Sequence, residues 1–235
     1  MNNKIVAAIQ SSYIPWKGYF DIINSVDEFV LYDDVQYEKN SWRNRNKIKT
    51  RNGLMWLTIP VYHQGKSTQL IKDVKISYPG WAKKHFNSIQ ANYAKARYFR
   101  KYRDYFEELY LNSNSKYLHE INYQFISSIC SLLGINTKIT WSMEYHLSGN
   151  SPTERIIDLC KKSNSSIYLS GPRGSNYLDK ELFNKNNIKI NYYDYSNYTE
   201  YEQVSAPFVH EVSIIDLILC AGPDSDIFLK SFPVK

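Results

Sequence analysis

The sequence predicts an α/β fold, a Rossmann-like sheet of parallel or mixed strands with a helical region packed on it. Three observations carry this reading. Strand–helix–strand successions occur over residues 5–32 and again over 167–193, and such units build parallel sheets. Between them, at about residues 80–134, apolar residues recur at helical spacing. The chain has 235 residues, 43% of them hydrophobic, with no internal repeat or low-complexity linker, so residues 1–235 are expected to form one domain with its own core.

Taken in order, Ile5-Val6-Ala7-Ala8-Ile9 is a buried strand, and residues 10–18 are a loop punctuated by Pro15 and Gly18. A helix is expected at about 19–25. The strand at 29–32 then ends in Asp33-Asp34, and strand ends are where open α/β sheets place ligands. Arg43, Arg45, Lys47, Lys49 and Arg51 alternate, with Asn52-Gly53 and an apolar run at 54–59 after them. That is a hairpin signal, and period two puts the five cations on one face. Residues 81–112 carry two helical stripes, Trp81/His85/Ile89/Tyr93 and Phe99/Tyr102/Phe106/Leu109. No Gly or Pro stands near Ala96, so one helix or two both fit. A helix at 117–133 closes at Gly134, and a strand follows at 135–141. Ser151-Pro152-Thr153-Glu154 is a capping box opening a helix to about 162. Then come a strand at 167–170, a turn at 171–174, a short helix at 177–183, a strand at 188–193 and a last helix at 213–220 before Gly222-Pro223.

Composition narrows the function. No window approaches the roughly 20 apolar residues of a spanning helix, so no membrane insertion is expected. The run after Met1-Asn2-Asn3-Lys4 is too short for a signal core, which predicts a cytoplasmic address. Cys130, Cys160 and Cys220 are far apart and without C-x-x-C spacing, which argues against zinc and against a disulfide framework. The net charge is +6, and residues 39–51 alone contain six Lys and Arg and no acid. A local basic stripe on a neutral body suits a phosphate-bearing ligand better than a general nucleic-acid or membrane surface.

Several residues are candidates for a site. The loop bearing Gln10, Tyr13, Trp16 and Gly18 joins a strand to a helix and can present backbone N–H groups to an anion, although Tyr13 and Trp16 also read as packing aromatics. Asp33 and Asp34 could act as a base or hold a divalent ion such as Mg²⁺ through phosphate. Alternation puts only one of them in any given site, and capping a strand end explains them equally well. In the Trp42-Arg43-Asn44-Arg45 run the guanidinium forks fit phosphate and the indole stacks on a base or sugar, which suits a nucleoside diphosphate. Single-stranded RNA would suit the same chemistry, but the stripe is small for a tRNA. His85, one turn from Trp81, is a general-base candidate near neutral pH, and a histidine on such a face is more often a satisfied core residue. Gly171 and Arg173 lie in a turn from which Arg173 and Tyr177 could reach a ligand. No Walker loop, nucleophile elbow, Rossmann glycine fingerprint or metal-ligand cluster is present, and no metal ligand is assigned.

Seen together, several blocks resemble the WbqC-like protein family: Gln10-x-x-Tyr13-x-Pro15-Trp16-x-Gly18-Tyr19-Phe20, Asp33-Asp34-Val35-Gln36-Tyr37, Trp42-Arg43-Asn44-Arg45-Asn46, Trp56-Leu57-Thr58-Ile59-Pro60-Val61, Trp81-x-x-x-His85 with Tyr93, Tyr168-Leu169-Ser170-Gly171 with Tyr177-Leu178-Asp179, and Ser213-Ile214-Ile215-Asp216-Leu217 before Gly222-Pro223. One departure is Ser11-Ser12, where the family pattern would have Gln-Pro or a similar pair. The resemblance implies a bacterial protein of O-antigen or capsule synthesis, with a glycine-transferase role suggested for some members. Joined with the residues, it sets the expectation of a transferase of surface-polysaccharide (lipopolysaccharide) biosynthesis that moves an aminoacyl (glycyl) or acyl group to an amino group of a nucleotide-linked sugar. In that scheme Arg43 and Arg45 hold the diphosphate, Trp16 or Trp42 stacks, and His85 or one of Asp33 and Asp34 takes the proton. The donor could be an aminoacyl-tRNA, an acyl-CoA or an ATP-made adenylate. A metal-dependent glycosyltransferase and a non-catalytic scaffold of O-antigen assembly are the alternatives.

Overall fold

The computed structural model describes residues 3–63 and 68–233. Five strands, β1 (Ile5–Ile9), β2 (Glu28–Leu31), β5 (Lys138–Trp141), β6 (Ile167–Ser170) and β7 (Lys189–Tyr192), form one sheet in the order β5-β2-β1-β6-β7. Every pairing in it is parallel. From β1 the chain builds outward to β2 and β5 on one side, then returns to add β6 and β7 on the other. The strand order therefore reverses between β1 and β6.

Covered on both faces, the strands read as apolar runs rather than as alternation. Ala7, Phe29 and Leu31 face the larger core with α1 (Lys17–Asn24), α4 (Leu118–Leu133) and α7 (Ile214–Ala221). Val6, Val30 and Tyr168 face a smaller core against Ile156, Ile157 and Leu159 of α5 (Pro152–Lys162) and Phe183 of α6 (Lys180–Lys185). The capping box at Ser151 and Glu154 forms as its spacing predicts.

The helical region consists of α2 (Trp81–Tyr93), α3 (Phe99–Leu111) and α4. Trp81, His85, Ile89 and Tyr93 are buried along one stripe. The break between α2 and α3 has no sequence breaker. It is made by packing, because the Tyr98 N–H donates to the Leu219 carbonyl of α7 (3.0 Å) rather than continuing the α2 ladder. The helix expected at 177–183 forms later, as α6, because Asp179 accepts from the Leu182 N–H as its cap and Pro172–Asn176 is taken up by a 3₁₀ turn. The three cysteines are free thiols inside α4, α5 and α7. No helix among the described residues is long and apolar enough to cross a membrane.

The hairpin forms as β3 (Arg45–Thr50) and β4 (Gly53–Thr58), but the stripe of five free cations does not. Arg43 lies before the strand and turns inward to bond the Gln10 carbonyl, and Lys49 is 2% exposed, with its ammonium on the Pro207 carbonyl. Arg45 sits 4.2 Å from the Trp56 ring centre, so aromatic faces and carbonyls satisfy charges that a bare alternation pattern leaves to solvent.

β2 opens one residue earlier than its apolar run, at Glu28, which is 1% exposed. Burial would raise its pKa, but hydrogen bonds from Lys4, Tyr145, Lys138 and Thr140 outweigh that and bring it down to about 2. A carboxyl depressed on folding stabilises the fold above its unfolded value of 4.5, and this contribution is lost as pH falls towards 2. In acid titrations followed by circular dichroism, Glu28→Gln is therefore expected to flatten the fall in stability below pH 4.5. At neutral pH it should cost about 2–4 kcal/mol, because a buried amide replaces the charged acceptor of the bonds from Lys4, Lys138, Thr140 and Tyr145.

Candidate functional site

A cleft of about 1040 Å³ opens along the carboxyl ends of β1, β2 and β6. Gln10 follows β1, Tyr32 follows β2, and Ser170 and Gly171 end β6, so the cleft lies where the strand order reverses, the usual ligand position in such sheets. Its volume is at the upper end of the ligand-pocket range, roughly 300–1,000 Å³.

The loop after β1 forms the floor. Ile14 has φ +37°, a left-handed conformation that a β-branched side chain strongly resists. It is held there from several directions. Asn46 Nδ2 donates to the Tyr13 and Ile14 carbonyls (3.2 and 2.8 Å), and the Tyr13 N–H donates to the Trp42 carbonyl (3.0 Å). The Ile214 N–H of α7 bonds the Pro15 carbonyl (2.9 Å). Trp16 then folds back over Gly18, where an added Cβ would stand 2.4 Å from the indole. Gly18→Ala is accordingly expected to displace the indole from the cleft wall, read as a shift in tryptophan emission together with a loss of ligand affinity of about tenfold or more.

Arg43 supplies charge at the floor. Its Nη1 donates to the Gln10 carbonyl (2.9 Å), which also accepts from the Tyr19 hydroxyl (3.1 Å), while its buried Nε has no hydrogen-bond partner among the described residues. Behind it lies Asp33, wholly buried. Burial raises the Asp33 pKa to about 6, against the Ser11 N–H bond (2.8 Å) and the Arg43 charge, both of which lower it. Asp34 turns the other way, accepting from Arg155 (2.7 Å) and Ser142 (2.5 Å). Arg155 in turn holds the Tyr32 hydroxyl (2.9 Å), which fixes a ring on the cleft wall.

The opposite wall carries Arg173 and the largely exposed Tyr177. Gly174 is required beside them because a Cβ there would sit 2.0 Å from the Ser170 hydroxyl. The remaining wall comes from the segment after β7. Tyr195 and Tyr198 meet the Trp16 ring edge-on at 5.1 and 5.7 Å. His210 and Glu211 stand beside them on the lining. Burial and the neighbouring Lys17 charge lower the His210 pKa, so its imidazole is neutral at physiological pH, and its Nδ1 is buried without a hydrogen-bond partner among the described residues. The cleft thus joins two guanidinium groups, aromatic walls and one neutral imidazole.

The model of the WbqC-like protein family matches residues 10–227, which takes in the cleft lining apart from Ala8 and Ile9 of β1. The chain belongs to the WbqC-like family. It is similar to the uncharacterized protein Rv1507c of Mycobacterium tuberculosis, with 40% identity over 227 residues that cover 97% of this chain and 98% of the relative. No solved structure matches the chain.

Of the site residues expected from sequence, this WbqC-like chain brings Gln10, Trp16, Trp42, Arg43, Gly171, Arg173 and Tyr177 together on the cleft. Tyr13, Gly18, Asp33, Asp34, Asn44, Arg45 and His85 lie off its lining. Asn44 is buried and laces the hairpin, its side chain donating to the Ile59 carbonyl (2.9 Å). His85 is 5% exposed, and both its ring nitrogens are engaged, Nδ1 by the Tyr13 hydroxyl (2.9 Å) and Nε2 by the Thr58 carbonyl (3.2 Å). Burial lowers its pKa to about 4 despite the Thr58 bond. Sequence reasoning missed Tyr32 and Ser170, whose positions at strand ends were a usable signal. It also missed Tyr195, Tyr198, His210 and Glu211, which stand in an irregular stretch without periodicity.

Proposed function

We propose that this WbqC-like protein is a transferase of bacterial surface-polysaccharide synthesis that acylates an amino group of a nucleotide-linked sugar, with a glycyl or similar acyl unit as the transferred group. The observation that carries the reading is the pairing of Arg43 and Arg173 with the Trp16, Trp42 and Tyr177 rings in one cleft at the reversal of strand order. Two guanidinium forks suit a diphosphate, and flanking rings suit a base and a sugar. The place in polysaccharide synthesis is supported by membership of the family.

His85, Asp33 and Asp34 lie off the cleft, whereas His210 lines it beside Glu211, and a neutral imidazole is a form that accepts a proton. In the reading offered, the sugar amine attacks the acyl carbonyl of an activated ester or thioester. The C–N bond forms, the C–O or C–S bond to the carrier breaks, and His210 takes the amine proton and passes it to the leaving group. The Gln10 carbonyl, bonded by Arg43 Nη1, keeps that guanidinium in place.

The test is calorimetric titration with nucleoside diphosphate amino sugars, followed by mass spectrometry of the sugar after incubation with glycyl and acyl donors. Binding with micromolar affinity that Arg173→Ala weakens about tenfold, with a mass increase of one acyl unit on the sugar, is the expected result. Failure of every amino sugar to bind would overturn the reading.

A further inference from the structure

The hairpin carries a feature that the cleft does not explain. β4 turns Leu54 and Trp56 outward, each 43% exposed, and Trp42 beside them is 42% exposed. Trp42 and Trp56 lie 5.3 Å apart, tilted by 38°. Antiparallel register sets Lys47 directly opposite Trp56 and Arg45 opposite Thr58, so these cations share the face of the rings. Arg45 lies 4.2 Å from the Trp56 centre, with its Nε buried and unpartnered among the described residues, and Lys47 lies 5.4 and 5.6 Å from the two rings. Large exposed rings flanked by cations are costly to leave in water and mark a contact surface.

Charge continues beyond the hairpin. Residues 39–51 hold six Lys and Arg and residues 74–103 hold eight, and neither stretch contains any of the chain's 23 Asp and Glu. The expectation of a neutral body around one basic stripe therefore missed a second basic block. Lys83, Lys84, Lys95, Arg97, Arg100 and Lys101 of that block are all exposed. Lys83 and Lys84 of α2 line a shallow groove with Met55 of β4, so the second block abuts the hairpin.

We infer that the Trp42–Trp56 ledge binds the unpaired end of an RNA, with bases stacked on the indoles and backbone phosphates on the basic side chains of the hairpin and of α2 and α3. Base–aromatic stacking beside a positive track is how single strands are held without sequence reading. A membrane surface fits less well, since it calls for a continuous apolar face and the exposed apolar groups here are three side chains divided by cations. Trp42 also lines the cleft, so an end lying on the ledge leads directly into it. The inference deepens the transferase reading and rests on it for what the RNA carries, an aminoacyl group esterified to the terminal ribose. The sugar amine attacks that ester carbonyl, the C–N bond forms, the C–O bond to the ribose breaks, and the ribose oxygen leaves with the proton.

The test uses a fluorescein-labelled oligoribonucleotide of about 12 nucleotides, within the span of known single-strand sites, titrated into the full chain by anisotropy at several salt concentrations. Trp56→Ala is expected to weaken binding about tenfold and Trp56→Phe to retain most of it, with nucleotide-sugar affinity unchanged in both. Arg97→Glu combined with Arg100→Glu, on an exposed surface that should leave folding intact, is expected to lower the salt dependence of log K by about one unit. Absence of oligonucleotide binding, binding indifferent to both sets of changes, or Trp56-dependent binding to anionic phospholipid vesicles in place of RNA would overturn the inference. If the amino sugar binds and the oligonucleotide does not, the ledge proposal falls and the transferase reading stands; the reverse outcome retires the transferase reading and keeps the ledge.

Discussion

Arg43→Ala is expected to weaken binding of nucleoside diphosphate sugars by about 100-fold or more, the largest functional effect of any single cleft substitution. The guanidinium is positioned before ligand arrives by the bond from Nη1 to the Gln10 carbonyl. Little conformational freedom then remains to be lost on binding, so most of a charge-assisted bidentate contact, roughly 2–4 kcal/mol, appears as affinity. Arg43→Lys keeps the charge without the planar fork and should recover only part of the loss. Calorimetry on both variants, with circular dichroism to confirm folding, reads the effect directly. An affinity unchanged in Arg43→Ala would place the diphosphate elsewhere.

The second large effect is on stability. His85→Ala is expected to lower the unfolding free energy by about 3–4 kcal/mol, because it opens a cavity among Trp81, Tyr13 and Thr58 and strips the Tyr13 hydroxyl of an acceptor. Its pH signature is distinctive. The imidazole titrates near 6.5 in the unfolded chain and near 4 in the fold, so the unfolded state binds the extra proton between these values, and stability falls as pH drops from 6.5 to 4. Asp33 acts with the opposite sign, since its folded pKa of about 6 exceeds its unfolded value and favours the fold on acidification. The His85 contribution is therefore read as the difference between wild type and His85→Gln in urea titrations at pH 7 and pH 4.5. If the two proteins keep a constant stability gap across that range, His85 is not the neutral clamp described. Nucleotide-sugar affinity of the folded His85→Gln protein should be near that of wild type, which separates the clamp from a base at the reacting atoms.

The parts of the fold set by local spacing were legible from residues alone. The buried strand at Ile5, the capping box at Ser151, the hairpin signalled by Asn52-Gly53, with its turn at Arg51-Asn52, and the stripe from Trp81 to Tyr93 each depend on neighbours within a turn or two, and periodicity and capping report such neighbours. The cleft residues at β1 and β6, with Arg43 and Arg173, were legible for a related reason, since polar and glycine-rich stretches after apolar runs mark strand ends.

What depends on contacts between distant segments could be decided only by tertiary packing. The break between α2 and α3 is made by the carbonyl of Leu219, far along the chain, and the burial of Lys49 by the carbonyl of Pro207. Asp33 and Asp34, adjacent in sequence, part company because the Ser11 N–H meets one while Ser142 and Arg155 meet the other. The placement of His85 and His210 has the same origin. The regular helix placed its histidine in a closed hydrogen-bonded core, whereas the irregular stretch after β7, with no period to read, laid its histidine on the cleft. Sequence by itself determined the elements and the strand ends at which a ligand is met. The fold decided which charges are neutralised by partners and which remain free to bind, because that depends on three-dimensional neighbours that no local pattern encodes.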